Sequence, residues 1–283
     1  MPKAEPEYSK AKDSPIGSAD MREFIANESD FSFEMRVLER LGIEGFQCHH
    51  SGTYIDPFLS KPRQFDIRAY QQDGRVALGI AVECKNLRAA NPLLICAVPR
   101  TEEESFHSLI RLHANPMLSS YCSVETRTLH HSIYKPGQQV GKATHQVRRD
   151  KNSNALTGGD KEVFEKVSQA ISSSKDVAEK LTAAIPPSSL RAVLAVLVVP
   201  DGQLWQVEYN ADGSVNRYPY HIERTTLFTD QEIVVPSRSG VFSENIRFRL
   251  SHLEILTFGA LNGITDAWFS SGLFQTGAST QSA

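Results

Sequence analysis

Residues 190–199 read Leu-Arg-Ala-Val-Leu-Ala-Val-Leu-Val-Val, the most hydrophobic run in the chain, interrupted only by Arg191. A strand with one face in water alternates polar and apolar residues, and this run does not alternate. A central strand covered on both faces is therefore expected. Such a strand needs layers packed on either side, and the order of helix, three strands, helix and strand along the chain gives an α/β class with a mixed sheet flanked by helices. The run is too short for a bilayer span, and nowhere do about 18 apolar residues follow one another. The N-terminal segment MPKAEPEYSKAKDSPIGSAD lacks the apolar stretch of a secretory signal. A soluble, cytoplasmic protein with no membrane partner is the expectation.

Of 283 residues, 40% are hydrophobic and 22% charged, enough to build a core and too apolar for wholesale disorder. Thirty Lys and Arg against 33 Asp and Glu leave a formal charge of -3, so a polyanion must be met by a local patch. Cys48, Cys84, Cys96 and Cys122 are too few and too scattered for a disulfide framework or a paired zinc site, which fits a reducing compartment.

Residues 1–22 read as a flexible arm and 275–283 as a flexible tail. Between them lies one expected domain, 23–274, with a core over about 30–200 and an extension over 201–274. Phe33, Val37, Leu38 and Leu41 recur at helical spacing, with Ser29 or Asp30 as cap and Gly42 as stop, predicting a helix over 31–41. Extended segments follow at 45–55, 63–70 and 75–85, the last two joined by a hairpin at Asp73-Gly74. A further strand is expected at 92–98. Residues 100–158 read as irregular, with a helical start near 143–150. The apolar stripe of 160–182 predicts a helix; a hairpin at 204–220, a strand at 246–258 and a closing helix at 259–269 complete the order.

The chemistry gathers on the second hairpin. Side chains alternate along a strand, so Val76, Leu78, Ile80, Val82 and Cys84 share one face. Ala77, Gly79, Ala81, Glu83 and Lys85 share the other: three small residues, then an acid and a base. A turn at Asp73-Gly74 pairs Asp66 with position 81 and makes Glu83 its diagonal neighbour on the same face. Two such carboxylates repel unless a cation lies between them, and their hard oxygens select Mg²⁺ or Mn²⁺. Glu34 sits on the apolar stripe of the first helix, where an unpaired acid is costly, and the same site is a natural partner for it.

Asp66, Glu83 and Lys85, with Glu34 on the helix before them, resemble the PD-(D/E)XK nuclease superfamily of restriction endonucleases and Holliday-junction resolvases. The resemblance covers roughly 30–200. It implies a core of helix, three-stranded meander, helix and strand, elaborated here by a C-terminal hairpin, strand and helix. It implies Mg²⁺ or Mn²⁺ held by Asp66, Glu83, Glu34 and the backbone carbonyl of Cys84, and Lys85 beside the attacking water. Phe65 stands where the family's proline would be, and many members share that departure. The activity implied is hydrolysis of phosphodiester bonds in DNA without a covalent intermediate, RNA being an open alternative. By analogy with stand-alone members it implies antiviral defence or DNA repair, with an ATPase motor or another partner protein, or a second copy of the chain. A nuclease fold kept as a non-catalytic binding or assembly subunit is the rival expectation.

The nucleic acid needs its own contacts. Residues 127–151 hold Arg127, Lys135, Lys142, Arg148, Arg149 and Lys151 against the single acid Asp150. Lys142, Arg148 and Arg149 are the candidate phosphate contacts, and the resemblance, whose members often carry a glutamine on the active-site helix, implies Gln146 as a candidate for that place. Gly137-Gln-Gln-Val-Gly141-Lys142-Ala143-Thr144 falls short of a nucleotide-binding loop: it is one residue too short and has Ala where a hydroxyl is required. Gly141 and Lys142 at a helix N-terminus could still hold one phosphate. Cys48-His49-His50 has no second ligand pair and reads as structural, as do Trp205 and Trp268.

Overall fold

The computed structural model of the chain describes residues 15–27, 29–57, 59–113, 121–150, 152–183, 189–236, 245–270 and 272–274. The tail at 275–283, most of the arm and Lys151 lie outside them. Helix Ser18–Asn27 (α1), exposed over 18–25, falls partly within the stretch read as an arm. Phe31–Ile43 (α2) precedes three strands, Gln47–Ile55 (β1), Pro62–Asp73 (β2) and Val76–Cys84 (β3), paired antiparallel in sequence. Five strands follow: Leu93–Pro99 (β4), Phe106–His113 (β5), Tyr121–Thr128 (β6), Gln139–Arg149 (β7) and Leu156–Gly159 (β8). Then come Lys161–Ala183 (α3), Ser189–Val199 (β9), the hairpin Leu204–Tyr209 and Val215–His221 (β10, β11), Arg224–Pro236 (β12), Asn245–Thr257 (β13) and Ile264–Ser270 (α4). No helix among the described residues is long and apolar enough to cross a membrane.

All of these strands join one mixed sheet in the order β1-β2-β3-β9-β13-β12-β7-β4-β10-β11, with β5, β6 and β8 off that path. Strand β9 is buried at every position, as its sequence requires, and runs parallel to both β3 and β13. One sheet face packs against Phe33, Val37 and Leu41 of α2; the other packs against Val163, Val167, Val177 and Leu181 of α3.

The small-residue face of β3 has a packing cause. A Cβ built at Gly79 would lie 2.5 Å from Val177 Cγ1 and 2.8 Å from Leu181 Cδ1. Ala77 and Ala81 flank it in the same core. Helix α3 therefore lies closer to the sheet than larger side chains would permit.

Three expectations are corrected. The β2–β3 turn centres one residue later than Asp73-Gly74, with Gly74 at φ +54° and Asp73 paired with Val76. Every pair shifts accordingly: Ile67 faces Val82, and the next step puts Asp66 opposite Glu83 rather than diagonal to it. Residues 100–158 are largely strand. Of positions 143–150, read as a helical start, 143–149 belong to β7, which pairs with β4 on one edge and with β8 at its far end. Gly141 and Lys142 thus lie within a strand and form no helix N-terminus. Gly141 is a close-approach glycine: a Cβ there would meet Ile95 Cγ2 at 2.7 Å and the Thr226 carbonyl at 3.2 Å.

Two histidines are buried away from α3. His107 accepts from the Ile133 N–H at Nδ1 and pairs through Nε2 with the Leu273 carbonyl; His252 Nε2 accepts from Arg100. Burial holds His107 down at about 4 and His252 at about 2, the latter helped by Arg100.

Two outcomes follow from this packing. Gly79→Ala should cost about 1–3 kcal/mol of stability by overpacking. Gly42→Ala, with nothing within 4 Å, should be neutral or stabilising by up to about 1 kcal/mol. Urea unfolding of the two variants checks the contrast. The histidines give a pH dependence: below 6.5 the unfolded chain binds more protons than the folded one, so stability is lost as pH falls from 6.5 toward 4. His107→Gln should lessen the loss between about pH 7 and about pH 5, measured by urea titration at each pH.

Candidate active site

Asp66 and Glu83 face each other at the end of the β2–β3 ladder and are only 8% and 1% exposed. Backbone groups hold them: Cys84 N–H donates to Asp66 Oδ2 at 2.8 Å, and Asp66 N–H to Glu83 Oε1 at 3.4 Å. Both carboxylates turn toward α3, where Lys166 Nζ donates to Asp66 Oδ2 at 2.6 Å and to Glu83 Oε2 at 3.1 Å. Gln169, nearly one turn further along, has its side-chain amide between Glu83 and Arg63; with the amide nitrogen turned toward Glu83 it donates to Oε2 at 3.2 Å, and its oxygen accepts from Arg63 Nη1 at 3.3 Å.

The charges are strongly interdependent. Burial raises the Glu83 carboxyl far above the usual range, and Asp66 raises it further, while Lys166 opposes both. Burial alone would lower Lys166, but Glu83 and Asp66 outweigh it and keep the ammonium charged above its ordinary range. Glu34 is raised by burial and by Asp66, which places it within electrostatic reach of the pair; its Oε2 lies 3.1 Å from His50 Nε2.

Lys85 points elsewhere. Its ammonium lies 3.3 Å from Asp30 Oδ2 and 3.0 Å from Glu162 Oε2, and Asp30 also accepts the Asn86 N–H at 2.9 Å. Burial lowers Lys85, but Asp30 and Glu162 outweigh it and leave it above its usual value. The end of β3 is thereby tied to the starts of α2 and α3. Cys84, fully buried, has its thiol pushed far up by burial and then by Asp66, so it is no nucleophile.

The structure thus brings Asp66, Glu83 and the Cys84 backbone together, keeps Glu34 nearby and directs Lys85 to other acids. Gln146 is on β7 opposite Leu93 and Gly159, so it does not lie on the helix beside the carboxylate pair. The glutamine that does so is Gln169. Lys142 is paired with Glu104 and lies 4.7 Å from the Phe228 ring centre. Arg148 and Arg149 are exposed near the far end of β7, and Arg149 donates to the Asn154 carbonyl at 3.3 Å. Lys142 and His145 line a cavity of about 770 Å³ with Phe164, Phe228 and Arg63, and Arg63 links that cavity to Gln169.

Asp30 was read from the sequence only as a helix cap, and Lys166, Gln169 and Glu162 were not singled out. Their signal is a polar stripe: Glu162, Lys166, Gln169 and Ser173 recur at helical spacing beside the apolar stripe of α3. The donors suit a hard cation, since two carboxylates already converge on one positive charge. Among the described residues no three His, Cys, Asp or Glu side chains form a ready ligand group. Comparison of the chain with protein-family models, with curated proteins and with solved structures finds no match.

Removing Lys166 leaves two buried carboxylates without their cation, whereas removing one carboxylate leaves a balanced pair. Lys166→Met should therefore destabilise the fold by about 3–5 kcal/mol. Glu83→Gln should be neutral or stabilising. Denaturant unfolding of both at neutral pH checks the order, and equal losses would show that the three charges are uncoupled.

Proposed function

We propose that the chain is a metal-dependent phosphodiesterase acting on DNA, built on a restriction-endonuclease-like core. The observation that carries this reading is the carboxylate pair itself: Asp66 and Glu83, nearly excluded from water, face each other at the end of a hairpin and share one cation seat. The order α2, β1–β3 meander, α3 and β9 parallel to β3 supports it, with β4–β8 as an insertion between the meander and α3.

In this reading Asp66 and Glu83 would hold Mg²⁺ or Mn²⁺ with their side chains and Cys84 with its carbonyl, and Glu34 would complete the set. The ion would supply charge to a phosphate oxygen and acidity to a water. The protein's own groups do the rest. Cys84 N–H fixes the Asp66 carboxylate, and His50 holds Glu34 by its Oε2. Asp30 and Glu162 hold the Lys85 ammonium, and in this reading it would leave them to meet the phosphate or orient the water. Lys142, Arg148 and Arg149 would position the backbone of the nucleic acid. A role in defence or repair beside a partner protein rests on the resemblance alone.

One observation favours a non-catalytic role. Lys166 satisfies both carboxylates and Lys85 satisfies Asp30 and Glu162, so the ion pairs close on themselves. Cleavage of supercoiled plasmid with Mg²⁺, with an EDTA control and an RNA substrate in parallel, decides between the readings. Wild-type protein should cut the plasmid, and Asp66→Ala and Glu83→Ala should fall to background while remaining folded. Lys85→Arg should lose most activity yet keep DNA affinity, because the planar guanidinium poorly replaces a compact ammonium. An inert wild type that still binds DNA would establish the binding role.

A further inference from the structure

We infer that Lys166 is a resident cation that a divalent ion must displace to enter the carboxylate pair, so that this lysine sets the metal affinity of the site. The inference rests on reading Asp66 and Glu83 as a metal seat. The oxygens involved are already committed. Asp66 Oδ2 takes both the Cys84 N–H and the Lys166 ammonium, and Glu83 Oε2 takes Lys166 and Gln169. An incoming cation would face the ammonium across the same two oxygens, and the like charges repel at that range.

Charge balance gives displacement its direction. With both carboxylates ionised, one ammonium leaves one negative charge uncompensated in a buried place, and a divalent ion in place of the ammonium would remove it. The lysine also has somewhere to go. Its stem is a flexible four-carbon chain with 18% of its side chain exposed. Glu162 lies four residues earlier on the same helix, 63% exposed, at the spacing that lets a glutamate and a lysine pair. Glu162 at present holds Lys85, so a displaced Lys166 would bring the two ammonium groups together around one exposed acid. That concentrates positive charge where the phosphate of a substrate would approach.

The test measures Mn²⁺ affinity by calorimetry at about pH 8, where proton competition at the buried carboxyls is reduced. Lys166→Met should bind Mn²⁺ about tenfold more tightly than wild type, or about 1.4 kcal/mol. Lys166→Arg, which keeps the charge, should bind no more tightly than wild type. A purely structural lysine would give the opposite sign, since a loosened site binds metal less well. Because Lys166→Met is itself expected to be less stable, the unaltered protein supplies a second measurement. Acylation of the Lys166 amine, mapped by mass spectrometry, should speed up when Mn²⁺ is added. Unchanged affinity in Lys166→Met, or unchanged acylation of wild type at saturating Mn²⁺, would overturn the inference while leaving the metal seat standing. No Mn²⁺ binding by wild type or either variant would overturn the metal seat, and the inference with it.

Discussion

The close approach of α3 to β3 is the contact on which the rest depends. Ala77, Gly79 and Ala81 present almost no side chain, so Val177 and Leu181 settle directly onto the strand. That contact lays the helix across the sheet and carries its polar stripe past the end of β3. Lys166 and Gln169 then come to rest over Asp66 and Glu83 without any loop to guide them. A packing requirement and a chemical one thus share three residues. The acid and base that end the strand are placed by the same small-residue face that precedes them.

Local signals made much of this legible. The meander, α2, α3, β9 and the 204–220 hairpin follow from period-two alternation, helical stripes and Gly turns, all of which act over a few residues. The carboxylate pair was legible too, because the true pairing differs from the expected one by two residues, and a shift of two keeps the same side chains on one face. Strands β5 to β8 were not. Their edges are satisfied by partners far along the chain, as when β5 pairs with the start of β9, and such pairing leaves little mark on local sequence. Gly141 shows how this misleads: beside Lys142 it imitates a phosphate loop, whereas its cause is Ile95 and a carbonyl of β12 crowding the strand.

Within the site, the missing piece was a direction. Sequence spacing places Lys85 on the face of Glu83, but the rotamer is decided by Asp30 and Glu162, acids contributed by two helices. A long, flexible side chain goes where the charges are, and those charges depend on tertiary structure. Lys166 was hidden for the complementary reason. A lone lysine in a helix of mixed polarity is ordinarily solvated, and only the docking of α3 turns it inward.

Strands β12 and β7 are joined by the single pair Leu227 and Gly141, although each has long ladders on its other side. The sheet therefore has a seam one residue pair wide, with β7, β4, β10 and β11 on one side and the meander, β9, β13 and β12 on the other. Across such a seam little backbone cooperativity is transmitted, so the two flanks are free to open as separate units in native-state hydrogen exchange. The flank bearing the carboxylates holds its register through the β2–β3 and β3–β9 ladders, so the strands beyond the seam can breathe or diverge in sequence without breaking either ladder.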